Sequence, residues 1–442
     1  MGYLMKDSII IKMIIILVII DFSFTSLVLN VTVTEQDIIY QKTFGGIKRD
    51  GAFSLIQTSD GGFALAGFTR SYGAGNKDVW LVKTDTNGLV LWNKTYGSSQ
   101  NEEARSVIQT EDNGYLLACS TNSYDIGNED VWLVKTDANG LVLWNKTYGG
   151  PRLDFVRSLI HTTDGGFALA GFTIDWIDFV ALGNGGGDMW IVKLDASGNI
   201  QWNQTYKGEK DERIYTIIQT LDGGFALAGR TTVSSDFNSE IWLVKTDFMG
   251  QIQWNQTYQG TMDETAYSLI QTTDEGFILA GISQIQFSLE SDILIVKTDV
   301  YGSVIWSETY GGSADECTHD IIQTVDGGFA FAGYTNSYNT GHPDLLLIKM
   351  DVKGGVEWEQ IYGEKEPELA YSLLQTADGG FAIAGISEAS DMGEGDMWLV
   401  KTNPISGVEK LVVSVLKLNY WGIIFLIIIL LALIIVIRKQ KL

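Results

Sequence analysis

Residues 106–148 read SVIQTEDNGYLLACSTNSYDIGNEDVWLVKTDANGLVLWNKTY, and this stretch decides the fold. Ser106–Thr110 is a short strand, and Asp112-Asn113-Gly114 after it is a hairpin turn. Tyr115–Thr121 returns as a second strand, and the loop Asn122–Glu129 leads into a third, Asp130–Asp137. The turn Asp137-Ala-Asn-Gly140 then delivers a fourth strand, Leu141–Tyr148, with Trp144 at its centre. Four antiparallel strands in roughly 50 residues make one propeller blade.

The unit recurs. Its Asp-Gly-Gly turn, or a close copy, begins at Asp60, Asp112, Asp164, Asp222, Asp274, Asp326 and Asp378; the step is 52 residues throughout, except for 58 into Asp222. A fixed period of this length means copies of one supersecondary unit packed on one another. Seven copies predict an all-β, seven-bladed β-propeller over residues 30–409. The ends of the series show how the ring shuts. Ile38–Gly45 reads as an orphan fourth strand with Tyr40 in the tryptophan position, whereas Asp396–Asn403 is a third strand with no tryptophan strand after it. The N-terminal strand is expected to complete the seventh blade, leaving no open sheet edge.

Both ends carry membrane signals. Residues 422–437 are uncharged and apolar, with Tyr420 and Trp421 before them and Arg438, Lys439 and Lys441 after them. The segment 420–437 is just long enough to cross a hydrocarbon core, and the basic tail 438–442 assigns the C-terminus to the cytoplasm. Residues 410–419 form the juxtamembrane linker. Residues 1–29 carry Lys6 and Lys12 and then the apolar run Met13–Ile20, the pattern of a secretory signal peptide or of an uncleaved anchor. The expected protein is single-pass in the cell membrane, touching lipid through the C-terminal helix and holding its propeller outside. A formal charge of −24 excludes nucleic acid as a partner, because a phosphate backbone needs a basic surface. Cys119, in place of a repeat glycine, and Cys317 fall in different blades, too far apart for a disulfide.

The segment Lys-Thr-Asp-x-x-Gly-x-x-x-Trp (Lys135 to Trp144 and its siblings) resembles the tryptophan-docking motif of quinoprotein-type propellers. It has one residue fewer between Asp and Gly. The chain also has seven repeats against the eight blades of the quinoprotein alcohol dehydrogenases, and it lacks their adjacent cysteine pair. The whole unit, Trp-Asn-Lys-Thr-Tyr-Gly-Gly followed by Gln-Thr-x-Asp-Gly-Gly-Phe, is more similar to uncharacterised secreted repeat proteins of archaea and bacteria. That resemblance spans residues 38–409 and implies a fold, not an activity.

Residues present in every copy are most simply explained by packing, so function is sought where copies differ. The turns between first and second and between third and fourth strands are short and uniform, and they share one face. The other face carries the variable loops, where binding usually lives. On the innermost strand one position does not repeat: Phe53, Arg105, Arg157, Tyr215, Tyr267, His319 and Tyr371. Aromatics with guanidiniums at a channel mouth suit a sugar or an acidic group, and they equally suit packing between blades. Blade three has a six-residue insertion in the loop 175–187, where Trp176 and Phe179 are a second contact patch or a cover for the blade top. His161 replaces a glutamine of the other copies.

An acid stands three residues before each variable position: Asp50, Glu102, Asp154, Glu212, Glu264, Glu316 and Glu368. As a ring of carboxylates it would trap a divalent cation; as a packing device each acid would accept hydrogen bonds from its loop. No other cofactor is expected. Asn-x-Thr sequons at Asn30, Asn93, Asn145, Asn203 and Asn255 are candidate glycosylation acceptors or plain strand residues. No nucleophile elbow, zinc cluster or phosphate-cradling glycine loop is present. The sequence therefore reads as a binding or adhesion module for an extracellular glycan, peptide or envelope protein. An extracellular enzyme (a polysaccharide-active propeller or a relative of the quinone-dependent dehydrogenases) and a structural coat component are the alternatives.

Overall fold

Each repeat folds into one four-stranded antiparallel sheet, and there are seven such sheets. The computed structural model describes residues 38–404, apart from 124–128, 176–185, 209–210, 233–237, 261–262, 285–289, 338–341, 364–365 and 389–393. In blade two the strands are Glu102–Gln109, Tyr115–Thr121, Asp130–Thr136 and Val142–Tyr148. The innermost strand begins four residues before the expected Ser106, so the acid column lies within that strand rather than ahead of it. The seventh sheet is closed as expected: Ile38–Phe44 pairs antiparallel with Asp396–Thr402, outside Phe381–Ser387 and Glu368–Gln375. The innermost strands contact one another in a closed circle, the seventh against the first.

The two middle strands of a blade are buried along their length, as in Phe63–Thr69 and Asp78–Thr84, because neighbouring sheets cover both of their faces. Ala64 and Leu81 of blade one pack with Val107, Leu117 and Trp132 of blade two in one such cluster. This is why those strands read as continuous apolar runs, while the outermost strand Val90–Tyr96 alternates. Among the described residues no helix is long and apolar enough to cross a membrane. The expected membrane segments 1–29 and 420–437 lie outside the described residues.

Two repeated devices explain the repeated residues. In the uniform turns, Asp60 accepts from Thr58 Oγ1 at 2.5 Å, from the Gly62 amide at 3.0 Å and from Lys83 Nζ at 2.9–3.0 Å. The same lysine–aspartate pair recurs in every blade. Burial opposes ionisation of Asp60, but the bonds from Thr58, Lys83 and Gly62 outweigh it and hold the carboxyl at about 2. The residue after the aspartate takes a left-handed conformation, Gly61 at φ +83°, and Asn113 and Glu275 occupy it in blades two and five at φ 60° and 64°.

The second device joins blades. Trp92 of blade one lies on the turn glycine of blade two, where a Cβ on Gly140 would sit 2.8 Å from the indole. Beside it Tyr96 donates its hydroxyl hydrogen to the Gly140 carbonyl at 2.8 Å. The same pairing of tyrosine and glycine carbonyl recurs at Tyr148–Gly198, Tyr206–Gly250, Tyr258–Gly302 and Tyr310–Gly354. Tyr40 of the closing strand lies likewise on Gly88 of blade one.

Candidate functional site: a ring of bulged residues at the channel mouth

The variable column occupies a special backbone position. Along the innermost strand of blade one, Ala52 pairs with Gly67 and Ser54 with Ala66, so Phe53 is an extra residue with no partner. The same break in register falls at Arg105, Arg157, Tyr215, Tyr267, His319 and Tyr371. Each is the inserted residue of a β-bulge, a device that turns a side chain out of the regular alternation. The bulge also presses the preceding carbonyl against the second strand. A Cβ on Gly67 would overlap the Gly51 oxygen, which explains the glycine there in six blades. Cys119 takes that place in blade two as a buried free thiol, and Cys317 is also free and buried.

All seven bulged side chains are half-buried and meet in one ring. Phe53 lies edge-on to Tyr371 at 5.2 Å, Tyr371 stacks on His319 at 4.7 Å, and His319 meets Tyr267 at 5.4 Å. Tyr267 meets Tyr215 at 5.0 Å, and the Arg157 guanidinium lies over Tyr215 at 5.6 Å. Arg105 stands close enough to Arg157 to depress its pKa, after burial, and closes the circle over Phe53 at 4.3 Å. One arc of the ring is therefore aromatic and the other cationic.

Around the aromatic arc, a pocket of about 440 Å³ is lined by Tyr267, Asp315, Cys317, His319, Tyr334 and Asn336, among others. Tyr334 donates to Asp315 at 3.0 Å, and Ser291 donates to the same carboxylate. Burial pushes the His319 imidazole down to about 4, so it is neutral at physiological pH. Around the cationic arc, Glu103 pairs with Arg105 and with Lys77, the latter at 2.7 Å. Burial would raise the Glu103 pKa, but Arg105 and Lys77, with a smaller part from Arg157, outweigh it and lower it. Arg213 and Arg230 share Asp211 at 3.0 and 3.2 Å.

Below the ring runs a belt that the sequence analysis passed over. Ser54 accepts from the Val107 amide of the next blade at 3.1 Å, Ser268 from Ile321 at 3.3 Å, and Ser372 from Leu55 at 3.2 Å. The position is Ser or Thr in six blades and Asp320 in the sixth, where the carboxylate accepts from the Leu373 amide at 2.9 Å and from Ser268 at 3.1 Å. Burial pushes Asp320 up to about 6. A signal for it existed: it is the one acid in a column of hydroxyls, directly after the variable position.

The acid column is set otherwise than as a ring of ligands. Its members are at most 5% exposed and serve their own loops. Asp50 accepts from the Gly46 amide at 2.9 Å, Glu102 from Ser98 at 2.9 Å, Asp154 from Gly150 at 2.8 Å, Glu212 from Gly208 at 3.0 Å and Glu316 from Gly312 at 2.8 Å. Glu264 accepts from Ser283 at 3.4 Å, and Glu368 is buried at the matching place. Among the described residues no three acidic, histidine or cysteine side chains stand together as metal ligands would. His161 lies at the far end of its strand from the ring, with Nε2 2.9 Å from the Gln109 carbonyl. Asn93, Asn145, Asn203 and Asn255 are exposed on the outermost strands, and the side-chain oxygens of Asn93, Asn145 and Asn255 accept from Trp80, Trp132 and Trp242. Asn30, Trp176 and Phe179 lie outside the described residues.

No family model matches this sequence, and no curated protein does. The fold is shared with solved β-propellers. An ulvan lyase, described as a new family of polysaccharide lyase, matches with a TM-score of 0.57 at 9% identity, over 82% of this chain and 96% of that one. Its complex with -[GlcA(1-4)Rha3S]- matches with a TM-score of 0.56 over the same shares. Sqt1 from Chaetomium thermophilum matches with a TM-score of 0.49 at 10% identity, over 85% of this chain and 99% of that one. At these identities the likeness is one of fold.

Proposed function

We propose that this protein is a membrane-anchored extracellular propeller that binds a glycan, peptide or envelope component at the loop-bearing mouth of its channel. The observation that carries the reading is the ring itself. Each blade contributes to the channel mouth the residue that its sheet ladder leaves unpaired, and that residue changes from aromatic to cationic around the circle. A rigid scaffold that holds varied, half-buried aromatic and charged side chains beside a pocket of about 440 Å³ has the features of a ligand site. The apolar segments 1–29 and 420–437 and the exposed sequons support display outside the cell.

The test is a thermal-shift screen of the purified full-length protein against neutral and acidic glycans, peptides, envelope fractions and divalent ions. A ligand that binds only the folded state at about 100 times its Kd stabilises it by about 2.7 kcal/mol. The expected result is a shift with a glycan or peptide that Tyr371→Ala removes. A shift with divalent ions alone would return attention to Asp50 and its siblings. No shift with any ligand, together with ordered self-association, would replace the reading with a structural coat.

A further inference from the structure

Arg157 is the one ring residue whose chemistry is unfinished. Its guanidinium lies over Phe172 at 5.5 Å and Tyr215 at 5.6 Å, and it makes no ion pair or hydrogen bond among the described residues. Its Nε is buried without an acceptor, and so is the Nε of Arg230. Burial first, and then Arg105, works against its charge and outweighs the support of Tyr215, Glu103 and Glu129. Unsatisfied buried donors are rare in folded proteins, because each forfeits its hydration without replacement. Glu103 and Glu129 act on Arg157 through space, but among the described residues no carboxylate contacts it. Lys77, Arg105, Arg157, Arg213 and Arg230 stand against Glu103 and Asp211, both already engaged, and Glu129, whose carboxyl is pushed upward by burial and by Glu103. A local excess of cations in a chain of net charge −24 is a specific arrangement rather than an average property.

The shape of the site narrows the anion further. The planar fork of N–H donors fits a carboxylate or sulfate. Next to it stand the Tyr215 and Tyr267 rings, and Arg157 and Arg230 both act on the Tyr267 hydroxyl. Beyond Tyr267 the pocket sets Asp315, Asn336, Ser291 and Tyr334, partners for hydroxyl groups, against Ile282 and Cys317, an apolar wall for a ring face. An oxyanion, then aromatic faces, then a hydroxyl-binding pocket is the order of groups along an acidic sugar chain.

We propose that the channel mouth takes an acidic saccharide, whose carboxylate or sulfate sits on Arg157 with Arg105 beside it and whose adjoining sugar ring lies against Tyr215 and Tyr267. The inference rests on the binding reading above and names its ligand class.

Titration calorimetry on the full-length protein tests it with four probes: trigalacturonate, the same trisaccharide after carboxyl reduction, a sulfated galactose trisaccharide, and triglutamate. Trigalacturonate or the sulfated sugar is expected to bind about tenfold or more tighter than the reduced, neutral sugar, the size of one charge-assisted contact. Arg157→Gln is expected to erase that difference without lowering the melting temperature, since it removes a buried cation that makes no ion pair or hydrogen bond among the described residues. Arg157→Lys, which keeps the charge and loses the fork, is expected to fall between. Equal binding of the acidic and neutral sugars would overturn anion recognition and leave the binding reading standing. Triglutamate binding as tightly as trigalacturonate would overturn the saccharide in favour of an acidic peptide. A loss of melting temperature in Arg157→Gln with the acid preference intact would make Arg157 a packing residue. Binding of none of the four overturns the inference, while the wider screen still decides the binding reading.

Discussion

Asp320 interrupts the hydroxyl belt, and giving it the residue of the other blades, Asp320→Ser, is expected to change stability with a defined pH dependence. The serine can take over the same duty, because Ser54, Ser268 and Ser372 accept backbone amides of the following blade from equivalent positions. The carboxyl is pushed from 3.8 to about 6 by burial. A group whose pKa is raised on folding keeps its proton in the folded state after the unfolded chain has lost it. Its favourable contribution is therefore complete below the unfolded pKa and disappears as pH rises through the folded one. A shift of about two units corresponds to about 3 kcal/mol. Relative to the parent, the variant is thus expected to gain about 3 kcal/mol between pH of about 4 and about 7.5. His319, held near 4 by burial, titrates in both proteins and drops out of the difference. Urea denaturation followed by tryptophan fluorescence across that range measures it. A gain that is the same at every pH, or a variant weaker than the parent at neutral pH, would refute both the buried-acid reading and the belt.

Four further outcomes follow from the repeated devices. Gly198 and Gly165 have similar φ values, +74° and +80°, but a Cβ on Gly198 would meet Trp144 at 2.7 Å while Gly165 has open space. Each alanine substitution is expected to cost about 1–2 kcal/mol for the left-handed backbone, and Gly198→Ala about 1–3 kcal/mol more for the displaced indole; equal losses on thermal melting would rule out tryptophan docking. Glu275→Gly relieves a left-handed residue at φ 64° and is expected to raise stability by about 0.5–1 kcal/mol, read as a higher melting temperature. Asp60, Asp112 and Asp164 are held at about 2 against the opposition of burial, so the stability they add is present above about pH 4 and lost as pH falls toward 2. Their carboxylates are more than half exposed, which limits each to about 0.5–1 kcal/mol, and Lys83→Met is expected to remove one share from the acid-unfolding curve. Deleting 38–44 bares the edge of Asp396–Thr402, so concentration-dependent association by light scattering is expected, and a deletion variant that stays monomeric and equally stable would disprove the closure.

The architecture was legible because sevenfold repetition multiplies weak local signals: a single Asp-Gly-Gly is only a turn, whereas seven at one spacing are a ring. Even the closure could be read, since Tyr40 stood where a tryptophan was missing at the other end. The variable column was visible too, as the place where copies disagree. What could not be read was the bulge beneath it. A one-residue register break leaves no mark in an apolar pattern, so the innermost strand was expected to begin at Ser106 and the acids to lie outside it. Once Glu102 is known to open the strand, its carboxylate lies at the junction with its loop and bonds the Ser98 amide, and the picture of an open carboxylate ring gives way to one of loop anchors. Glu103, Arg213 and Arg230 were missed for the same reason, because their convergence depends on pairing across strands rather than on spacing along one.

The bulge also explains why function can accumulate at that column without unfolding the protein. Where an innermost-strand side chain packs between blades, as Ala52 and Leu55 do, or serves the belt or a loop, its identity is constrained. The inserted residue has no cross-strand partner in the ladder, so the strand pairing itself does not fix its identity. If packing were its whole purpose, apolar residues would fill all seven places, since burying a charge without a partner is costly. Instead Arg105 and Arg157 sit side by side, and the second, though Glu103 and Glu129 act on it, makes no ion pair or hydrogen bond among the described residues. A like-charged pair held half-buried carries a repulsion that packing alone does not require. On the proposed function, that electrostatic cost is offset when an anionic ligand arrives.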